Sequence, residues 1–379
     1  MKFISPPSKG TSLTFKCKVG ITVIWLLLGA VLGYLFLVIA FCLPTNRMRS
    51  HLESTPDVFY NGSVALVKDD LATHLDYLTE ATILSEAIYD GNESPFVKAA
   101  AIYSVLPPEG DENWSYRKLI SSLSATNESA HGPYDRYWQG QLAILRPLLL
   151  LLDYKDILRL NTLVQLFLML WIAHLLSCHS LTHLLFPLAL MFCSLTPIAT
   201  GICLQYTPCF LIMAIGCVVL LRHTNIINKF NWLFFLSLGM ATSYFDFLTY
   251  PLVTLGIPLI LYLQLETSSP SQRFFQITTC SLSWGIGYIG FWAEKWLFGS
   301  VILQENLFSE AYNSIILRSS HETLGQTITY MATLKNNLQA YDLRTWKILW
   351  LLLFLVTIVL ALHRHCLTLH NILAFSLYA

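Results

Sequence analysis

Long apolar runs alternate with short polar ones over most of this chain, and a single long polar stretch interrupts them. The first run, 20–43, is continuous and long enough to cross roughly 30 Å of hydrocarbon. Further runs lie at 160–177, 181–201, 204–221, 232–250, 251–265, 274–298 and 347–362, and a last one opens near Asn371. The pattern predicts an all-α, polytopic transmembrane protein whose large first outer loop is itself helical. Within that loop, 44–159, Leu71, Leu75, Leu78, Ile83 and Leu84 recur at near-helical spacing over 68–89. Asp69, Thr73, Asp76 and Glu80 fall three or four apart on another face, so Asp76 and Glu80 are expected to point the same way. Helices are also expected over 95–106 and 114–123, divided by the turn-rich Pro107-Pro108-Glu109-Gly110-Asp111. The stretch 141–153 is apolar around Arg146-Pro147 and too short to cross, so it reads as a helix lying along the outer membrane surface.

Flanking charge orients the runs. Lys2, Lys9, Lys16 and Lys18 precede the first one with no acid among them, which places the N-terminus in the cytoplasm. A cleaved signal peptide is the rival reading. The run exceeds the usual signal core of about 7–15 residues, and Phe41-Cys42-Leu43-Pro44 is a poor cleavage site, so the run reads as an uncleaved anchor. Counting outward from it puts Arg222, His223, Lys229, Arg273, His363, Arg364 and His365 inside. The expected organisation is then a tail and anchor at 1–43, an outer loop with interfacial helices at 44–159, and a bundle at 160–379 carrying a second outer loop at 299–345. The stretch after Asn371 is about half a span, so the sequence reads as truncated there.

Composition narrows the class. At 55% hydrophobic and 12% charged residues, with mean hydropathy +0.55, the chain is too apolar for a soluble protein. Net charge is +0, and no basic patch argues for a nucleic-acid partner; the expected partner is the bilayer of the cell membrane. All nine cysteines lie in or beside apolar runs and read as small packing residues.

The candidate chemistry lies on the outer face. Asp76 and Glu80 are the candidate catalytic acids, as base and orienter or as joint oxygen ligands of a divalent cation. Tyr134-Asp135-Arg136-Tyr137-Trp138-Gln139-Gly140 offers aromatic faces for a sugar together with charged partners in Asp135 and Arg136. Arg136, Arg146 and Lys295 are candidate phosphate clamps. Asp246, at the edge of an outward-going run, is a candidate because an acid there is costly unless it faces protein or water. The plainer readings are a solvated helix face for Asp69, Asp76 and Glu80, and an interfacial aromatic belt for Tyr134, Tyr137 and Trp138.

Several segments carry a resemblance. Leu43-Pro-Thr-Asn-Arg-Met48, Asp76-Tyr-Leu-Thr-Glu80-Ala, Tyr134-Asp-Arg-Tyr-Trp-Gln-Gly140, Leu145-Arg-Pro-Leu-Leu149, Phe245-Asp-Phe-Leu-Thr-Tyr-Pro251 and Ala293-Glu-Lys-Trp296 resemble little-characterised multi-span proteins of Gram-positive bacteria. The plan of one anchor, a large acidic first outer loop and many later spans resembles class C glycosyltransferases. That likeness implies transfer of a sugar from a polyprenyl-phosphate carrier to a cell-envelope acceptor, with an acid of the first outer loop as base or metal ligand. The chain departs from the plan just after the first span, where Leu43-Pro-Thr-Asn46 has an amide in place of an acid. A non-catalytic membrane partner in envelope polysaccharide assembly, or a transporter, would share the same composition.

Overall fold

The computed structural model describes residues 14–60, 74–106, 114–124, 130–195, 197–246, 249–266, 269–319, 322–323, 326–327, 329–340 and 351. Among these the chain is mostly α-helical, with two short antiparallel strand pairs. Helix α1 (Phe15–Phe41) begins at Thr14, whose side chain accepts from the Cys17 N–H. Its first half turns Ile24, Leu28 and Val31 outward, whereas Ala30, Tyr34, Leu37 and Phe41 in its second half are buried.

What they are buried against is the loop that follows, 44–159. Its helices are α2 (Asn46–Leu52), α3 (Pro56–Phe59), α4 (Tyr77–Ala87), α5 (Pro95–Ala101), α6 (Trp114–Leu123) and α7 (Leu142–Leu149). Two of them have legible starts. Asp76 caps α4 by accepting from the Thr79 N–H, and Ser94 caps α5 by accepting from the Val97 N–H, with Pro95 at the first helical position. The helix expected over 95–106 stops early because Ile102 takes a left-handed conformation (φ 52°). The chain then turns into strand β1 (Tyr103–Val105), which pairs with β2 (His131–Pro133), Ser104 opposite Gly132. The helix expected over 68–89 is observed as α4; positions 68–73, including Asp69 and Thr73, lie outside the described residues. Helix α6 coincides with expectation. Helix α7 is helical as expected but does not lie free on a surface. It packs against α1 and α4 and buries Leu142, Leu145, Arg146 and Leu149.

Helix α8 (Tyr154–Cys178) begins six residues before the apolar run suggested and exposes Leu163, Phe167 and Leu170. The run 181–201 is not one helix. A 3-10 turn (Thr182–Leu184) leads to α9 (Leu185–Ser194) and α10 (Pro197–Ile202), with Pro197 opening the second piece. There follow α11 (Thr207–Arg222), α12 (Thr224–Lys229), α13 (Asn231–Phe245), α14 (Val253–Leu265) and α15 (Pro270–Leu303). The stretch expected as a second loop, 299–345, holds α16 (Leu307–Ser319), a hairpin of β3 (Glu322–Thr323) and β4 (Gln326–Thr327), and α17 (Tyr330–Ala340). The run expected at 347–362 and the one opening near Asn371 lie outside the described residues, Leu351 excepted. By length and composition α1 and α8 are the helices able to cross a membrane among the described residues.

Helices α13 and α15 cross at backbone distance. A Cβ at Gly239 would lie 2.1 Å from the Trp284 carbonyl oxygen, and one at Gly287 would lie 2.2 Å from the Leu236 carbonyl oxygen. Glycine on both sides is therefore what permits the contact. The loop is not a separate lobe. Met48, Leu52, Phe59, Ile83, Leu84 and Leu119 share one continuous core with Leu37, Leu236, Met240, Tyr244 and Phe291. A second core joins α8, α11, α13, α14 and α15 around Phe210, Met213, Phe235, Leu259 and Trp284.

Candidate functional site

The loop meets α1, α8, the α10–α11 junction, α13 and α15, and buried charged side chains do part of the joining. Glu80 on α4 is fully buried. One carboxylate oxygen accepts from the Tyr154 hydroxyl at 2.6 Å and the Leu204 N–H at 2.9 Å. The other accepts from the Gln205 N–H at 3.1 Å and the Cys203 thiol at 3.5 Å. Burial pushes its pKa up, and these bonds draw it part of the way back. Glu80 thus fastens α4 to the start of α8 and to the junction between α10 and α11. Its oxygens face four protein donors, so it does not share a ligand position with Asp76.

Asp76 stands one turn away in a different setting. Its carboxylate accepts from the Thr79 N–H at 3.0 Å and the Thr79 hydroxyl at 2.8 Å, and it stays half-buried. It lines a cavity of about 260 Å³ together with His74, Leu75, Tyr77, Leu78, Ser115 and Tyr206. Tyr206 closes one side by donating its hydroxyl to the His74 carbonyl at 3.0 Å. Asp246, buried at the end of α13, accepts from the Thr249 N–H at 3.1 Å and also from its hydroxyl. The neighbouring Tyr250 donates to the Tyr206 carbonyl, which links the Asp246 turn to the cavity wall.

The expected clamps are placed elsewhere. Arg146 is 1% exposed, and its guanidinium donates to the carbonyls of Ala40 (2.9 Å), Leu43 (3.2 Å) and Ala87 while lying 4.6 Å from the centre of the Phe41 ring. A cation at the carboxyl ends of α1 and α4 answers their exposed carbonyls and dipoles. Burial lowers its pKa to about 10, and it remains charged. Lys295 is 1% exposed, donates to the Ala100 carbonyl, and lies 5.8 Å from the centre of the Trp138 ring. Asp135, also buried, is within its electrostatic reach. Trp138 is fully buried and donates to the Phe291 carbonyl at 2.6 Å. Tyr137 stacks on Trp292 at 5.7 Å and on Tyr134 at 5.6 Å. Trp292 and Trp296 both donate to the Arg136 carbonyl, at 2.7 and 3.1 Å, and the half-buried Arg136 guanidinium lies 5.3 Å from the Tyr134 ring centre. The Tyr134–Gly140 segment is therefore the joint between the loop and α15, with Asp135, Tyr137 and Trp138 buried in it.

Spacing alone did not single out the cavity partners His74, Ser115 and Tyr206, or the buried pair Glu86 and Lys118. Glu86 is fully buried, neither of its oxygens has a hydrogen-bond partner, and Lys118 and Lys295 are the cations acting on it. Lys118 donates to the Ser104 hydroxyl at 3.0 Å and the Val105 carbonyl at 2.9 Å. The available signal was an acid set among Ile83, Leu84, Ala87 and Ile88 on an apolar helix face. Among the described residues no three His, Cys, Asp or Glu side chains are grouped to hold a metal ion. The chain has no significant match to a protein-family model, a curated protein or a solved structure.

Proposed function

We propose that the chain crosses the cell membrane several times with its N-terminus in the cytoplasm, and that its loop caps the outer end of the bundle. Support comes from where the loop attaches. It touches the end of α1 (Ala40, Leu43), the start of α8 (Tyr154), the α10–α11 junction (Leu204, Gln205), the end of α13 (Tyr244) and the later part of α15 (Phe291, Lys295). These ends fall on one side if successive spans alternate in direction, and Arg222, Lys229 and Arg273 then fall on the other.

On this plan the protein is a polyprenyl-phosphate-dependent glycosyltransferase of the class C type acting on an envelope acceptor. The observation that carries the reading is the cavity at the seam of loop and bundle, because Asp76 is the candidate acid that lines it. Its carboxylate retains lone pairs beyond those used by Thr79 and can take a proton from an acceptor hydroxyl, with the Tyr77 and Tyr206 rings beside it as sugar platforms. Arg136 stands at the loop–α15 joint and does not line this cavity, while Glu80, Arg146 and Lys295 become supports that hold the seam closed. The second reading, a non-catalytic partner in polysaccharide assembly, is favoured by that same internal use of three charged groups.

Transfer of labelled sugar from a polyprenyl phosphate by the purified protein in lipid nanodiscs separates the two. Asp76→Asn retains an N-cap side chain and so leaves stability within about 0.5 kcal/mol. The transferase reading expects it to lower turnover by about 100-fold or more. No transfer by the parent protein favours the partner role, whereas wild-type turnover in the variant keeps the transferase and removes Asp76 as its base.

A further inference from the structure

Helix α15 ends at Gln304, a left-handed residue (φ 57°), and the chain folds back on it as α16. Leu307 seats against the Gly299 position and Ala311 is buried, so one face of α16 is used up on α15. The adjoining face is apolar yet uncovered: Phe308 is 44% exposed, Tyr312 63% and Ile316 49%. Spacing of four places the three in one stripe, and the exposed Ser309 and Asn313 border it. At 13 residues α16 is about 20 Å long, too short to cross a bilayer.

The stripe does not stand alone. On α15, Leu297 and Val301 are likewise exposed, and the Phe308 ring meets Trp296 edge-on at 5.7 Å. Trp296 therefore joins the apolar stripe of α16 to α15, and the aromatic rings at that junction favour the boundary between headgroup and acyl chain. We propose that α16 is an interfacial helix that lies in the outer leaflet with Phe308, Tyr312 and Ile316 toward the acyl chains. This rests on the multi-span reading above. Its consequence is a second loop anchored to the membrane beside the Trp292–Trp296 joint, holding Arg136 at the level where a lipid phosphate travels.

The test replaces Phe308, Phe167 or Asn313 in turn with the photoreactive p-benzoylphenylalanine and irradiates the full chain in phosphatidylcholine–phosphatidylglycerol nanodiscs. Phe167 is an exposed apolar position on α8 and reports whether the bundle is embedded at all. The expected result is phospholipid adducts at positions 308 and 167 in comparable yield, with few at 313. Adducts at 167 but not at 308, or adducts at 308 to protein only, overturn the interfacial helix and leave the multi-span reading standing. Absence of adducts at both positions removes the multi-span reading and this inference with it.

Discussion

Glu86 is the least supported charge in the described part of the molecule, fully buried with no hydrogen bond to either oxygen. Burial pushes its pKa well above the ordinary 4.5, and Lys118 and Lys295 only partly counter that. The folded chain therefore holds a proton there that the unfolded chain releases. The group's contribution to stability is complete below about pH 4.5 and is lost as pH rises toward the raised pKa. Burial also brings Lys118 down to about 8, where half of it has lost its proton, so the clearest part of the window lies about a pH unit or more below that value. Glu86→Gln is neutral throughout. Between about pH 5 and pH 8 the melting temperature of the parent protein in detergent is expected to fall, and that of the variant to fall less. Parallel slopes would contradict the burial argument. Spacing could not have found this residue, because it grouped acids three and four places apart, and Glu86 falls outside that series although it is as buried as Glu80.

Among the elements, α7 shows how a locally legible helix acquires its place from afar. Its length, its apolar run and the single Arg146 are evident in the sequence. Its use is not, since the carbonyls that Arg146 binds belong to residues 106, 103 and 59 positions earlier. Glu80 is the same case, its donors Tyr154, Leu204 and Gln205 lying 74 to 125 positions away. Helix α6 was legible because its pattern and a turn-rich boundary suffice; the β1–β2 pair was not, because three-residue strands exist only through their pairing. The tether account makes a definite forecast for Arg146→Met, which keeps the apolar stem and deletes the donors. It takes the guanidinium away from the carbonyls of Ala40, Leu43 and Ala87 and should cost about 3 kcal/mol or more in reversible denaturation in detergent. A loss under about 0.5 kcal/mol would show that Arg146 joins nothing of consequence.

For the whole molecule, the apolar segmentation conveyed the helical class, while the shared core of loop and bundle and the break of 181–201 into α9 and α10 emerged only in three dimensions. The candidate site was half legible: Asp76 was found from its spacing, but the rest of its cavity is lined by residues that include Ser115 of α6 and Tyr206 of the α10–α11 junction. Those two residues provide the most direct measurement. Ser115→Cys, labelled in intact cells with a membrane-impermeant maleimide and read by mass spectrometry of the peptide, reports the sidedness of the cavity. Repeating the reaction on the purified protein in nanodiscs with and without a polyprenyl-phosphate sugar reports its occupancy. The account predicts labelling from outside without permeabilisation, slowed when the lipid-linked sugar is present. Labelling only after the cells are opened, or a rate indifferent to the lipid-linked sugar, would contradict an outward-facing transferase with its site at Asp76.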